Sequence, residues 1–242
     1  MVNNLTHIGT SGWSYDHWIG KFYPEEVKKN NWLACYSKEF GTVEINSSFY
    51  HLPRQKTFEN WNKKTKKDFI FSVKASRYIT HIKRLKDCRE PLERLFKPAG
   101  ELGKKLGPFL FQLPPNLKKD KEVFKKFLGL LPEKYKYAFE FREESWFMED
   151  IYKLLEKHNC GVVISSSPGF PYREAVTSNL CYIRMHGSGE LYRSCYSKEE
   201  LKKVAAFIKK NLNKNIENYV YFNNDAEAYA LENARTLMKM LL

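Results

Sequence analysis

Short strand-like runs recur along this chain, separated by longer stretches with helical spacing. Residues 137–146 carry the most informative run, Tyr-Ala-Phe-Glu-Phe-Arg-Glu-Glu-Ser-Trp. A strand sends successive side chains to opposite faces, so Phe139 and Phe141 share one face and Glu140 and Arg142 the other. Strands are predicted from Tyr137 and over residues 8–11, 42–46, 69–74, 109–113, 161–165, 181–186 and 219–223. Helical spacing marks residues 122–128 and 152–157. A last helix is predicted over about 226–241, with Asn224 and Asp225 as its start signal.

Alternation of strand and helix implies parallel pairing through right-handed crossovers. Eight such units in 242 residues predict an α/β fold of one domain spanning 1–242, a single-domain (βα)8 TIM-type barrel with an elaborated connection over residues 83–106. An open doubly wound sheet is the competing architecture.

Parity sharpens the prediction. One face of each strand is consistently apolar: Val43 and Ile45, Phe69, Phe71 and Val73, Phe139 and Phe141, Ile183 and Met185, Val220 and Phe222. That face should meet the outer helices. The inward face then carries Glu44, Asn46, Ser72, Lys74, Gln112, Glu140, Arg142, Ser165, Arg184, His186 and Asn223. These polar residues gather toward the C-terminal strand ends, where barrel enzymes hold their chemistry.

Composition narrows the class. With 43% hydrophobic and 15% aromatic residues the chain can build a large core, and it is not of disordered type. The net charge of +13 attracts phosphate polymers and other anions, although the lysines spread along helix faces such as residues 197–203. No apolar run approaches a membrane span and no leader of signal-peptide type precedes the first strand, so a cytoplasmic location without a membrane partner is expected. Five cysteines, Cys35, Cys88, Cys160, Cys181 and Cys195, include no C-x-x-C pair and read as reduced thiols, mostly buried.

A series of ordered motifs resembles domain-of-unknown-function family 72 (YecE-like). They are residues 9–15 with Trp18, Gly20, Phe22, Tyr23 and Pro24; residues 43–50; Phe111-Gln112-Leu113-Pro114-Pro115; Phe139-Glu140-Phe141-Arg142 with Ser145-Trp146; residues 183–187; and Tyr221-Phe222-Asn223-Asn224. The resemblance runs from the first strand to the last helix. It implies a TIM-type barrel and brings no established reaction with it, so function rests on the site.

Glu44 and Glu140 are candidate acid and base, with neutralisation of a neighbouring Arg or Lys as the structural alternative. Arg142, Arg184 and Lys74 would converge on a carboxylate or phosphate, or else close an ion-pair network with the two glutamates. His186, before the small loop Gly187-Ser188-Gly189, is a candidate assistant in proton transfer, and Asn46, Gln112 and Asn223 would orient substrate. Trp13, Tyr15, Trp18, Phe22 and Tyr23 crowd the first loop, with Phe49 and Tyr50 beyond strand two. Exposed, Trp13 and Tyr50 would stack on bases or sugars; buried, such rings lock a loop.

The six histidines form neither H-x-H nor H-E-x-x-H, which disfavours a multi-zinc site and leaves at most one divalent ion on Glu44, Glu140 or Asn223. No G-x-S-x-G elbow is present and no cofactor is predicted. Two functional classes follow. The first is an enzyme acting by acid/base chemistry on a phosphate-bearing or other anionic substrate at the C-terminal mouth. The second is a non-catalytic nucleic-acid-binding barrel using its basic surface. Oligomeric state is not written in the sequence.

Overall fold

The computed structural model describes residues 4–242. Eight parallel strands close on themselves in sequence order. They are β1 (Thr6–Ser11), β2 (Thr42–Ile45), β3 (Ile70–Lys74), β4 (Leu106–Gln112), β5 (Tyr137–Glu140), β6 (Cys160–Ser166), β7 (Leu180–Met185) and β8 (Glu217–Phe222). Closure is direct, because Thr6 to Thr10 of β1 pair in register with Asn218 to Phe222 of β8. The closed ring excludes the open doubly wound sheet.

The helices are α1 (Trp32–Glu39), α2 (Ser47–Tyr50), α3 (Gln55–Lys64), α4 (Arg89–Ala99), α5 (Lys121–Leu128), α6 (Glu149–Lys157), α7 (Lys198–Leu212) and α8 (Tyr229–Met240). Local chemistry starts several of them. Asp120 accepts from the Val123 amide at 3.0 Å to cap α5. Ser197 and Glu200 form a reciprocal capping box at α7, with bonds of 3.2 and 2.8 Å.

Strand parity divides the core as the alternation predicts. Val43, Ile45, Phe71, Val73, Phe139, Phe141, Ile183, Met185, Val220 and Phe222 belong to the large apolar layer between strands and helices. A second, smaller cluster of Leu110, Ala138, Val163, Leu180, Tyr182, Tyr219 and Tyr221 fills the barrel interior. At its N-terminal end, Tyr219 stacks on His7 at 4.7 Å and donates to Glu217 at 2.8 Å. Glu217 also pairs with Lys136 and His7, closing that end with a small ion network.

Two elements differ from the sequence prediction. Residues 167–179, between β6 and β7, contain no helix, so the strict strand–helix alternation fails once. The segment carries Pro168, Gly169 and Pro171, which interrupt helical hydrogen bonding, and Thr177 instead ties it to β6 through the Val162 amide and the Cys160 carbonyl. The last helix begins at Tyr229 rather than near Ala226, behind Ala228 in a left-handed conformation (φ 64°). Asn224 and Asp225 do not cap it, because their side chains bond elsewhere. The elaborated 83–106 connection contains α4 and a further helical turn, Gly100–Lys105. Of the five thiols, Cys88, Cys160 and Cys181 are buried, Cys35 is half-buried and Cys195 is exposed. Among the described residues no helix is long and apolar enough to cross a membrane.

Gly9 is required by close approach. A Cβ there would lie 2.2 Å from the Thr42 carbonyl oxygen and 3.0 Å from the Tyr36 hydroxyl, and the hydroxyl is fixed by bonds to Thr10 and Thr42. Gly9→Ala should therefore cost on the order of 2 kcal/mol or more in a urea titration. A wild-type midpoint would show that β1 and β2 are not packed this tightly.

Candidate functional site

The interior changes character halfway up. Above the tyrosines, β2 contributes Glu44, β5 Glu140 and β7 Arg184, all buried. Tyr182 and Tyr221 form the boundary: Tyr182 donates to Glu44 Oε2 at 2.7 Å and shares a hydrogen bond with Ser72 at 2.8 Å, while Tyr221 pairs with Thr42 at 2.7 Å.

Arg184 bridges the two carboxylates. Its Nε and Nη2 hold Glu44 in a two-point grip at 3.0 and 2.7 Å, and its Nη1 donates to Glu140 at 2.7 Å. Ser11 completes Glu44 with a 2.7 Å bond, so that carboxylate accepts four hydrogen bonds in all. Arg142 holds the other Glu140 oxygen through Nε and Nη2, both at 3.1 Å, and lies over the Phe170 ring at 4.3 Å. Burial alone pushes both glutamates up, but the neighbouring guanidiniums override it, leaving Glu44 below and Glu140 well below the ordinary carboxylate range.

His186 belongs to the same array. Asn223 Nδ2 lies 3.0 Å from its Nδ1, and its Nε2 lies 3.3 Å from both Glu140 Oε1 and Arg184 Nη1. Burial, reinforced by Arg184, lowers this imidazole to about 4, so it is neutral at pH 7. Glu44, Glu140 and His186 are thus all engaged by neighbouring side chains, and both glutamates stay ionised at neutral pH. Gln112 reaches Arg184 weakly, at 3.5 Å.

Lys74 is the exception. It is buried at the end of β3, its Nζ lies 4.2 Å above the Phe49 ring, and among the described residues that Nζ has no hydrogen-bond or ion-pair partner. Desolvation, with repulsion from Arg184, brings it down to about 7 despite the pull of Glu140 and Glu44. It opens into a cavity of about 450 Å³ lined by Asn46, Gln112, Asn223, Arg184, Tyr50 and residues of the β1 and β8 loops. A carbonyl of Asn46 is buried there without a partner.

Sequence reasoning missed another part of the cavity wall. Asp225 accepts from Trp18 Nε1 at 2.9 Å and pairs with His17 Nε2 at 3.0 Å, and both Asp225 and His17 line the cavity. Burial pushes the Asp225 carboxyl up to about 6, against the pull of Trp18 and His17. Its apparent capping position concealed it. The aromatics of the first loop serve mainly as a packed wedge, with Trp18 and Tyr23 buried and Tyr15 bonded to the Ser11 carbonyl. Tyr50 is exposed at the rim, whereas Trp13 stands apart from the mouth, edge-on to Trp61 at 5.1 Å in an adjoining groove of about 620 Å³. Among the described residues no group of three or more His, Cys, Asp or Glu side chains converges as metal ligands would.

The sequence description of the family "Protein of unknown function DUF72" matches residues 7–242. The chain belongs to the DUF72 family. A DUF72 family protein from Thermotoga maritima has the same fold with a TM-score of 0.86 and 33% identity, over 98% of each chain. A second DUF72 structure, from Enterococcus faecalis, superposes with a TM-score of 0.85 at 21% identity, covering 98% of this chain and 95% of that one. Among curated proteins, UPF0759 protein YunF of Bacillus subtilis is 25% identical over 98% of this chain and 95% of its own length. UPF0759 protein YecE of Escherichia coli K12 is 27% identical over 59% of this chain and 50% of its own.

The ion network of this DUF72 barrel makes a stability prediction. Arg184→Met strands two buried carboxylates and should cost about 3–5 kcal/mol in chemical denaturation at pH 7. Both glutamates are lowered in the fold, so their stabilisation is complete above the unfolded carboxylate value of about 4.3 and is lost as pH falls through their folded values. The gap between wild type and variant should therefore narrow as pH falls, because the stranded carboxylates of the variant take up protons at higher pH than the held ones of the wild type. A loss under about 1 kcal/mol at pH 7 would mean that Arg184 does not hold the pair.

Proposed function

We propose that this DUF72 barrel is an enzyme that binds an anionic group of a small substrate in its C-terminal mouth and moves a proton to or from that substrate. The observation that carries this reading is Lys74, a buried amine facing a cavity and, among the described residues, left without a hydrogen-bond or ion-pair partner while the adjoining guanidiniums and glutamates are paired. Structural lysines are seldom left so, because desolvating an amine without compensation destabilises the fold. Perturbed ionisable groups that line a cleft are instead the mark of functional sites.

Roles follow from the geometry. Two guanidiniums cancel two carboxylates, so the charge of the mouth is set by Lys74 together with Asp225 and its partner His17. An arriving phosphate or carboxylate favours the protonated amine and supplies its missing partner. Asn46, Gln112 and Asn223 offer amides to the rest of the substrate. Asp225, near 6 and paired with His17, is suited to carry a proton at neutral pH, as is Lys74 near 7. Glu44, Glu140 and His186 act through Arg184 and Arg142 as positioning residues. The +13 net charge draws anions toward the barrel at long range.

Inorganic phosphate is the simplest probe. Calorimetric titration should detect binding that weakens as pH rises above about 7, because the protonated amine is the binding form, and Lys74→Met should remove most of that slope. Phosphate affinity that is unchanged between pH 6 and 9, or unchanged in the variant, would contradict the reading. The same variant should be more stable than wild type at pH 7 by roughly 4 kcal/mol, since the unfolded lysine regains its charge and the folded one does so with difficulty. That difference should shrink as pH rises toward about 10.4, where the unfolded lysine also loses its proton.

A further inference from the structure

We propose that Lys74 is a nucleophile that forms an imine with the carbonyl group of an anionic substrate, such as a 2-oxo acid or a phosphorylated aldehyde or ketone. The inference deepens the anion-site reading and rests on it for the substrate's negative charge. Three features of the mouth point to it. The amine is nine-tenths buried, with its Nζ free of hydrogen bonds among the described residues, so its lone pair is not already engaged. It faces a cavity of about 450 Å³, large enough for a small carbonyl compound. Lining the same cavity are amides able to hold the carbonyl oxygen and an ionisable carboxyl, Asp225.

The charges facing Lys74 come from every side. Glu44 lies on β2, Glu140 and Arg142 are on and just beyond β5, Arg184 is on β7, and His81 follows β3. Phe49 of α2 covers the amine. Both carboxylates are engaged by guanidiniums, so neither is free to pair with the lysine and hold it permanently charged. Burial beside Arg184 keeps a large share of the amine neutral at pH 7, as an amine nucleophile requires.

In the reaction the Nζ lone pair attacks the carbonyl carbon and the C=O π electrons move to oxygen, which takes a proton to give a carbinolamine. The C–O bond then breaks and the oxygen departs as water with a second proton, leaving C=N. The two hydrogens of that water balance the two lost from the amine, and Asp225, which lines the same cavity, is the group assigned to carry them. No oxidant or reductant is consumed.

Glyoxylate, the smallest anionic aldehyde of this class, tests the step. The full-length protein is treated briefly at pH 7 with glyoxylate and sodium cyanoborohydride, which reduces the imine to a stable carboxymethyl-lysine, and the sites are mapped by peptide mass spectrometry. Lys74 should be modified at least about tenfold faster than the exposed lysines, which are almost wholly protonated at that pH. Excess phosphate should protect it, and Lys74→Arg should remove that site alone from the labelling pattern. Labelling of Lys74 no faster than the exposed lysines would overturn the imine. If phosphate still binds with the expected pH dependence in that case, the anion site survives and only the nucleophile is wrong. Rapid labelling without any phosphate binding would instead support the imine and remove the anion site.

Discussion

The bridge from Arg184 to Glu44 and Glu140 is the interaction on which the upper half of this barrel depends. A guanidinium and two carboxylates, all fully buried, are tolerable together only because the geometry matches charge to charge and bond to bond. Glu44 is saturated by Arg184, Ser11 and Tyr182, and Glu140 by Arg184, Arg142 and His186. The lower half has a different solution, with tyrosines and aliphatic side chains filling the interior. Tyr182 joins the halves, apolar against Tyr219 and Tyr221 and donating upward through its hydroxyl to Glu44.

A consequence of this closed pairing is that Lys74 has no ion-pair partner among the described residues. The network neutralises itself across three strands, and the fourth strand contributing to it, β3, brings a cation without a counterion. A barrel selected for stability alone would place an aliphatic residue there. Retaining an amine in a desolvated position is the kind of local cost that functional sites carry. Asp225, another group with a strongly perturbed proton affinity, lines the same cavity and gives the mouth two ionisable groups near neutrality.

Much of this was legible in the sequence because strand parity is a strong constraint. Val43 with Ile45 against Glu44, and Phe139 with Phe141 against Glu140, assign inside and outside without knowledge of tertiary contacts. What parity cannot encode is which inward groups meet across the barrel. Glu44 and Glu140 lie on strands that are not neighbours, and only Arg184, long enough to touch both, makes them one unit. The 167–179 connection illustrates a different limit, since eight strands predict eight crossovers but not that each contains a helix. Asp225 illustrates a third: a side chain suited to start a helix is instead claimed by Trp18 and His17, contacts made over more than two hundred residues of sequence.

The protonation state of one side chain tests these ideas together. With lysine side chains isotopically labelled and Lys74 assigned through its arginine variant, NMR can follow its Cε and Nζ signals across pH. A midpoint at about 7, far from the exposed lysines near 10.4, is the predicted result. A midpoint at or above the ordinary lysine value would mean that Lys74 has an anionic partner after all. The charge balance of the mouth, and the chemistry built on it, would then be wrong.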